Sequence, residues 1–233
     1  MNKPERKIAE DPLWWIMRIA NKCRSLWMLW TYPFASVGRR FFSHHACHLA
    51  RAIAPYIQLG EEVFLDRDVW IDIPVTPAHG EPVVIFDDGV KIGRRCTISA
   101  INRIHFERDV VFAPQVLVMD HNHALADADL PINYRGVNRG GTIRIEEGCW
   151  LGYGSAIVCD QGELVIGRNS VIGVNAVVTR SVPPHSVVTG NPARVVKQFD
   201  PSRGEWVLGS APATRSYLSS HSGANQNTAL KDL

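Results

Sequence analysis

Residues Gly141 to Val178 read GTIRIEEGCWLGYGSAIVCDQGELVIGRNSVIGVNAVV. Ile145, Leu151 and Ile157 recur at every sixth place, and after a slip the same beat resumes at Ile166, Ile172 and Val178. Each is followed by a turn-tolerant or polar residue, as in Leu151-Gly152, Ile166-Gly167, Ile172-Gly173 and Val178-Thr179. The fifth place of the unit is small: Cys149, Ser155, Ser170, Ala176. A helix repeats every 3.6 residues and a strand every two, so a period of six fits neither alone. It fits a solenoid in which each hexapeptide forms one side of a triangular coil. The aliphatic residue then fills the interior and the small residue sits near the corner.

The beat extends outward from this stretch. Leu59-Gly60, Leu65-Asp66 and Ile71-Asp72 open units whose fifth places are Val63, Val69 and Val75. Ile92-Gly93 continues with Cys96 and Ile98, and a second frame runs through Phe106, Phe112 and Val118. A β-sandwich with chance spacing is the alternative, and so many in-frame apolar residues argue against it. The frame breaks at 76–83 (TPAHGEPV), slips by two between Ile92 and Phe106, and takes fifteen residues instead of twelve from Leu151 to Ile166. The last excess predicts that Cys159–Glu163 bulges outward.

The 233 residues, 45% hydrophobic and 21% charged, can bury a sizeable core, which excludes disorder throughout. A net charge of +2 carries no polyanion-binding signature, so no nucleic-acid partner is expected. Residues 1–51 nevertheless hold nine Lys or Arg against three acids, together with Trp14, Trp15, Trp27 and Trp30. Five cysteines without a CxxC pair argue against a disulfide framework or zinc ribbon, and a reducing cytoplasm is the expected setting. No apolar run long enough to span a bilayer is present, and the early apolar stretch lacks the order of a cleavable signal peptide. Three regions follow: a helical, Trp-rich basic segment at 1–55, the repeat domain at 56–198 with a long loop at 124–140, and a mobile tail at 199–233. The first either caps the open end of the solenoid, whose strand edges need cover, or lies on a membrane surface; the two are compatible.

The repeat, together with Thr179–Lys197, TRSVPPHSVVTGNPARVVK, resembles the hexapeptide-repeat acyltransferases. The resemblance spans residues 56–198 and is nearest the sugar and polysaccharide O-acetyltransferases, alongside the galactoside, maltose and xenobiotic acetyltransferases. It implies an all-β fold, a left-handed parallel β-helix, and assembly as a homotrimer with each site formed between two subunits. It also implies acetyl-CoA as co-substrate and no metal.

Ala113-Pro114-Gln115-Val116 leads into LVMDHNH, and the family's catalytic histidine stands seven residues beyond the valine, at His123. A sugar hydroxyl is a poor nucleophile, so a base must take its proton as it attacks the thioester; imidazole titrates near neutrality and suits the task. His121 is the rival two residues away, and Asp120 could orient either ring. A zinc trio of His105, His121 and His123 is the metal-based alternative, but the His-x-His spacing does not match the zinc-binding β-helices. For the co-substrate, the resemblance marks Trp150, Gly152, Tyr153, Gly173 and Val174 along the pantetheine arm. Thr179 and Arg180 fall near the nucleotide and Arg194 at its phosphates. Asn102, Tyr134 and Arg135 are marked for the acceptor. The expected activity is O-acetylation of a sugar hydroxyl in surface-glycan biosynthesis, in the cytoplasm or at the inner face of its membrane. N-acetylation of an amino-sugar nucleotide and a non-catalytic scaffold are the rivals.

Overall fold

A computed structural model describes residues 12–77, 80–126 and 128–209, with side chains from Trp15 onward. The chain winds as a left-handed parallel β-helix with three flat faces. Face 1 stacks Ser36–Val37, Ile57–Leu59, Val84–Phe86, Arg103–Phe106, Thr142–Ile145 and Glu163–Ile166. Face 2 stacks Phe42–Ser43, Phe64–Leu65, Lys91–Ile92, Val111–Phe112, Trp150–Leu151 and Val171–Ile172, and Ser186–Thr189 follows. Face 3 stacks His48–Leu49, Trp70–Asp72, Thr97–Ser99, Leu117–Met119, Ala156–Val158 and Val177–Val178. Neighbouring coils pair in parallel, as Phe86 with Phe106, Phe106 with Ile145 and Ile145 with Ile166.

The hexapeptide explains itself in this geometry. Its aliphatic residue points inward and is buried, as at Leu59, Leu65, Ile71, Ile92, Leu151 and Ile172. The fourth residue turns the corner in the left-handed conformation, at φ 59° for Asp68, 57° for Asp109 and 55° for Asn175. Asp, Asn and Gly tolerate that region best. The fifth residue points inward again, so Val63, Val69, Cys96, Cys149 and Ala176 are buried too. Each fully buried aliphatic side chain contributes about 1.5–3 kcal/mol, and Phe86 stacks on Phe106 at 5.1 Å between ring centres in the middle of the core. Burial pushes the Cys96 and Cys149 thiols up to about 11. Val75 departs from the expectation: it is exposed, because the chain leaves the coil after Asp72.

Both ends differ from the sequence division. The solenoid begins at Ser36, inside the segment assigned to 1–55, whose helix covers only Pro12–Thr31. The first coil escapes an every-sixth-aliphatic reading because Ser43 holds an inward slot. That slot is closed by the helix: Ser43 N–H donates to Ser25 Oγ at 2.9 Å, and Ser25 Oγ–H reaches the Ser43 and Asn21 carbonyls. Asn21 Oδ1 accepts the His45 N–H at 2.9 Å, and Met28 enters the core. The helix therefore satisfies the open edge of the first coil with polar side chains, which is the cap. At the other end Arg194–Asp200 pairs antiparallel with Ser186–Thr189 and with Glu205–Leu208. Residues 199–208, assigned to a mobile tail, are thus part of a hairpin, closed by Phe199 against Trp206 at 5.7 Å. The rest of that tail lies outside the described residues.

Candidate active site

The irregularities scattered along the sequence collect at one edge of the prism. The chain passes from face 3 to face 1 between Leu49 and Ile57, Asp72 and Val84, Ser99 and Arg103, Met119 and Thr142, and Val158 and Glu163, and all five passages fall on that corner. The reason is mechanical. Extra residues at a corner leave the strand register intact, whereas extra residues within a face would break the hydrogen bonds between coils. The bulge expected at Cys159–Glu163 is one of these corners, although Glu163 already belongs to a face 1 strand.

Asp120 ends the face 3 strand and is fully buried. Its carboxylate accepts the backbone N–H groups of Ile101 (2.9 Å), Asn102 (2.9 Å) and Arg103 (3.0 Å) from the coil below. His121 Nδ1 is 3.0 Å from Oδ1, the oxygen that Ile101 N–H also reaches, while Asn102 and Arg103 share Oδ2. Four contacts of one kind call for a pure acceptor. Asp120 therefore locks the corner and orients His121. It does not touch His123, against the expectation that it could serve either ring.

His123 lies two residues on and is exposed, while His121 is buried. Its Nδ1 is 3.3 Å from the Gly136 carbonyl. A carbonyl can only accept, so Nδ1 is the nitrogen that carries the proton in the neutral ring, which leaves Nε2 with its lone pair. The main chain reinforces the arrangement: His123 and Val137 form an antiparallel bridge, and Ala124 N–H donates to Gly136 O at 3.1 Å.

The loop 124–140 is closed at its base by three asparagines. Asn122 N–H donates to Asn138 Oδ1 (3.0 Å), which also accepts Gly140 N–H, and Asn138 Nδ2 donates to Asp160 O in the next coil. Asn102 Nδ2 donates to the Arg139 carbonyl at 2.6 Å. A Cβ at Gly140 would lie 2.7 Å from the Asp120 carbonyl, and its φ of +65° adds a second reason for glycine. Asn122 and Asn138 were not singled out by sequence reasoning. The Asn138-Arg139-Gly140 turn was the available signal.

The acceptor candidates take on other tasks. Asn102 holds the loop base, and Arg135 staples the loop by donating to the Leu130 (2.6 Å) and Ala128 (2.8 Å) carbonyls. Tyr134 is 71% exposed beside it; Asp127 lies outside the described residues. The co-substrate candidates divide between two edges. Trp150 stands on face 2, with Gly152, Tyr153, Gly173 and Val174 at the corner between faces 2 and 3, where Tyr153 O–H donates to Gln115 Oε1 at 2.7 Å. Thr179 and Arg180 share the His123 corner two coils further on, and Arg194 begins the terminal hairpin. The glycines are demanded by stacking alone: a Cβ at Gly152 would approach Ile172 O to 2.5 Å, and one at Gly173 would meet Thr189 Cγ2 at 2.7 Å.

A cleft of ≈ 300 Å³ opens at the remaining corner, between faces 1 and 2, with Asp87, Asp88, Glu107 and Glu147 in its lining. Arg108 also lines it and pairs with Glu147 at 3.1 Å, which leaves an excess of carboxylates that disfavours phosphates. His105 pairs there with Asp87 at 3.1 Å, away from His121 and His123. Among the described residues no three His, Cys, Asp or Glu side chains are placed to hold a metal ion.

The triangular left-handed coil is the fold of solved acyltransferases, and in sequence the chain is similar to proteins named acetyltransferases. No protein-family model matches it. WbbJ of Escherichia coli, named for O-acetyl transfer in lipopolysaccharide biosynthesis, is 27% identical over 136 residues, 55% of this chain and 67% of WbbJ. An acetyltransferase of Schizosaccharomyces pombe is 30% identical over 128 residues, 52% of this chain and 59% of its own length. Among solved structures, the Bacillus cereus N-acyltransferase AntD, in complex with dTDP and 3-hydroxybutyryl-CoA, superimposes with a TM-score of 0.59. It is 17% identical and covers 76% of this chain and 87% of its own.

Proposed function

We propose that the protein transfers an acetyl group from acetyl-CoA to a sugar hydroxyl, with His123 as general base. The observation that carries this reading is the contact of His123 Nδ1 with the Gly136 carbonyl on an exposed corner, which leaves Nε2 of the neutral ring free to accept a proton. In the reaction Nε2 takes the hydroxyl proton as the oxygen forms its bond to the thioester carbonyl carbon. The carbon–sulfur bond then breaks, and the imidazolium returns the proton to the departing thiolate. His121 has an equally unprotonated Nε2, but the ring is 6% exposed. The likeness to WbbJ favours an acceptor in surface-glycan assembly.

The division of the co-substrate candidates between two corners favours a homotrimer. One chain offers His123, Thr179 and Arg180 at one edge, and Tyr153, Gly173 and Val174 at another. A second copy set edge to edge brings the two columns together across a groove. The outer row of face 2 carries two apolar pairs suited to such contact, Phe42 stacked on Phe64 at 4.6 Å and Val111 beside Trp150, with Lys91 between them.

The test is thiol release from acetyl-CoA with a panel of sugars, glycans and amino-sugar nucleotides. Wild type is expected to turn over with hydroxyl acceptors, and His123→Ala to lose about 10²–10⁴-fold at unchanged melting temperature and mass. Near-normal turnover by that variant removes His123 from the chemistry. Transfer confined to amino-sugar nucleotides replaces O-acetylation by N-acetylation.

A further inference from the structure

The N-terminal helix is oriented against the usual rule. It docks on the first coil through Asn21, Ser25 and Met28, spaced for one helical face. Its large apolar side chains point the other way. Ile16 (60%), Ile19 (61%), Leu26 (55%), Trp27 (60%) and Trp30 (95%) are exposed, and at 3.6 residues per turn they fall within an arc of roughly 120°. The polar side is used up in capping the coil edge, so the apolar side has no place left in the core of this protomer.

Charge and residue type select what can cover this face. The charged residues of Pro12–Thr31 are Arg18, Lys22 and Arg24, and no acid accompanies them. Arg24 is turned inward to Tyr32, at 3.2 Å. Lys22 borders the apolar arc, while Arg18 lies nearer the Ser25 side, its guanidinium 5.2 Å from the Trp15 ring centre. A second copy packed on the same face would set Lys22 against its own kind, with no carboxylate between Pro12 and Thr31 to answer it. An anionic bilayer surface answers both features: indoles settle at the headgroup boundary and Lys22 meets lipid phosphates. Among the described residues no helix is long and apolar enough to cross a membrane, so the contact is one of lying on the surface.

We propose that the outward face of the Pro12–Thr31 helix docks the protein on an anionic lipid surface, with Trp27 and Trp30 inserted among the headgroups and Lys22 at the phosphates. The inference rests on the helix alone, so it stands or falls apart from the acyl-transfer reading. The test is co-sedimentation of the full chain with phosphatidylcholine vesicles, with and without about 30 mol% phosphatidylglycerol. Binding to the anionic vesicles is expected to be at least about tenfold stronger at low salt and mostly lost near 0.5 M salt. Lys22→Gln should weaken it roughly fivefold, and the double variant Trp27→Ala/Trp30→Ala at least about tenfold. Both keep the wild-type melting temperature, since these side chains are exposed. Trp206→Ala, exposed on the far hairpin, is the control and should bind as wild type. Absence of binding at low salt overturns the proposal. So does a fall in the solution mass of the double variant, which gives the face to contact between copies.

Discussion

Replacing Asp120 by asparagine separates the two histidines, because it alters the tautomer of one and leaves the other alone. In the native corner the carboxylate accepts three backbone N–H groups and faces His121 Nδ1. An asparagine placed there best keeps its oxygen toward Asn102 and Arg103. Its NH2 then takes the place of Oδ1, where it donates to His121 Nδ1 and moves the ring proton to Nε2, so His121 ceases to offer a base outward, while Ile101 N–H loses its nearer acceptor. The Gly136 carbonyl still holds His123 in its own tautomer. The stability cost comes from exchanging the charge-assisted bonds of Asn102 and Arg103 for neutral ones and from weakening that of Ile101, about 1 kcal/mol for each. A loss of about 3 kcal/mol lowers the melting temperature of a chain this size by roughly 6–12 °C. The assay is thiol release well below the variant's melting temperature, beside a thermal melt. Turnover within about threefold of wild type is expected, since a general base is worth about 10²–10⁴ and His123 keeps its own. A loss of about 10³-fold or more in folded protein transfers the base role to His121, as a wrong tautomer costs on the order of 10⁴. A melting temperature that does not move refutes the corner lock.

The remaining expectations concern the core and the co-substrate. Thiol reagents at pH 8 should label exposed Cys23 at once and Cys47, Cys96, Cys149 and Cys159 only on unfolding; rapid labelling of a second thiol contradicts the core described. The Cys96 and Cys149 thiols ionise near 9.0 when unfolded and at about 11 when folded, so their contribution is complete below pH 9 and lost as the pH rises toward 11. Denaturant melts between pH 8 and 11 should show that decline, and Cys96→Ala/Cys149→Ala should flatten it. Gly173→Ala pushes a methyl to 2.7 Å from Thr189 Cγ2 and 2.9 Å from Val188 O; a loss of about 1–3 kcal/mol is expected in a denaturant melt. Among the described residues the Arg194 guanidinium donates to the adjacent Ala193 carbonyl. Arg194→Ala is therefore expected to raise the KM for acetyl-CoA at unchanged melting temperature, and calorimetry showing unaltered CoA affinity removes it from the site.

The amino-acid sequence by itself determined the solenoid and its period. A residue that must point inward every sixth place, with a small one four further on, leaves no other regular fold, and this information is local to each hexapeptide. The candidate histidine pair and the Thr179–Lys197 ending stood out for the same reason, as contiguous motifs. The first coil was hidden where Ser43 takes an aliphatic slot and borrows its partner from Ser25 eighteen residues earlier. The terminal hairpin was hidden because its pairing lies between segments, not within a motif. Only the tertiary structure decided which ring Asp120 holds, since His121 and His123 are both within reach along the chain and differ in what the neighbouring coil and loop present to them. It alone showed that separate breaks in the repeat fall on one corner, and that the helix turns its tryptophans outward. Those outcomes depend on hydrogen bonds across coils and on which face finds a partner. Such relations arise only after the chain has wound back upon itself.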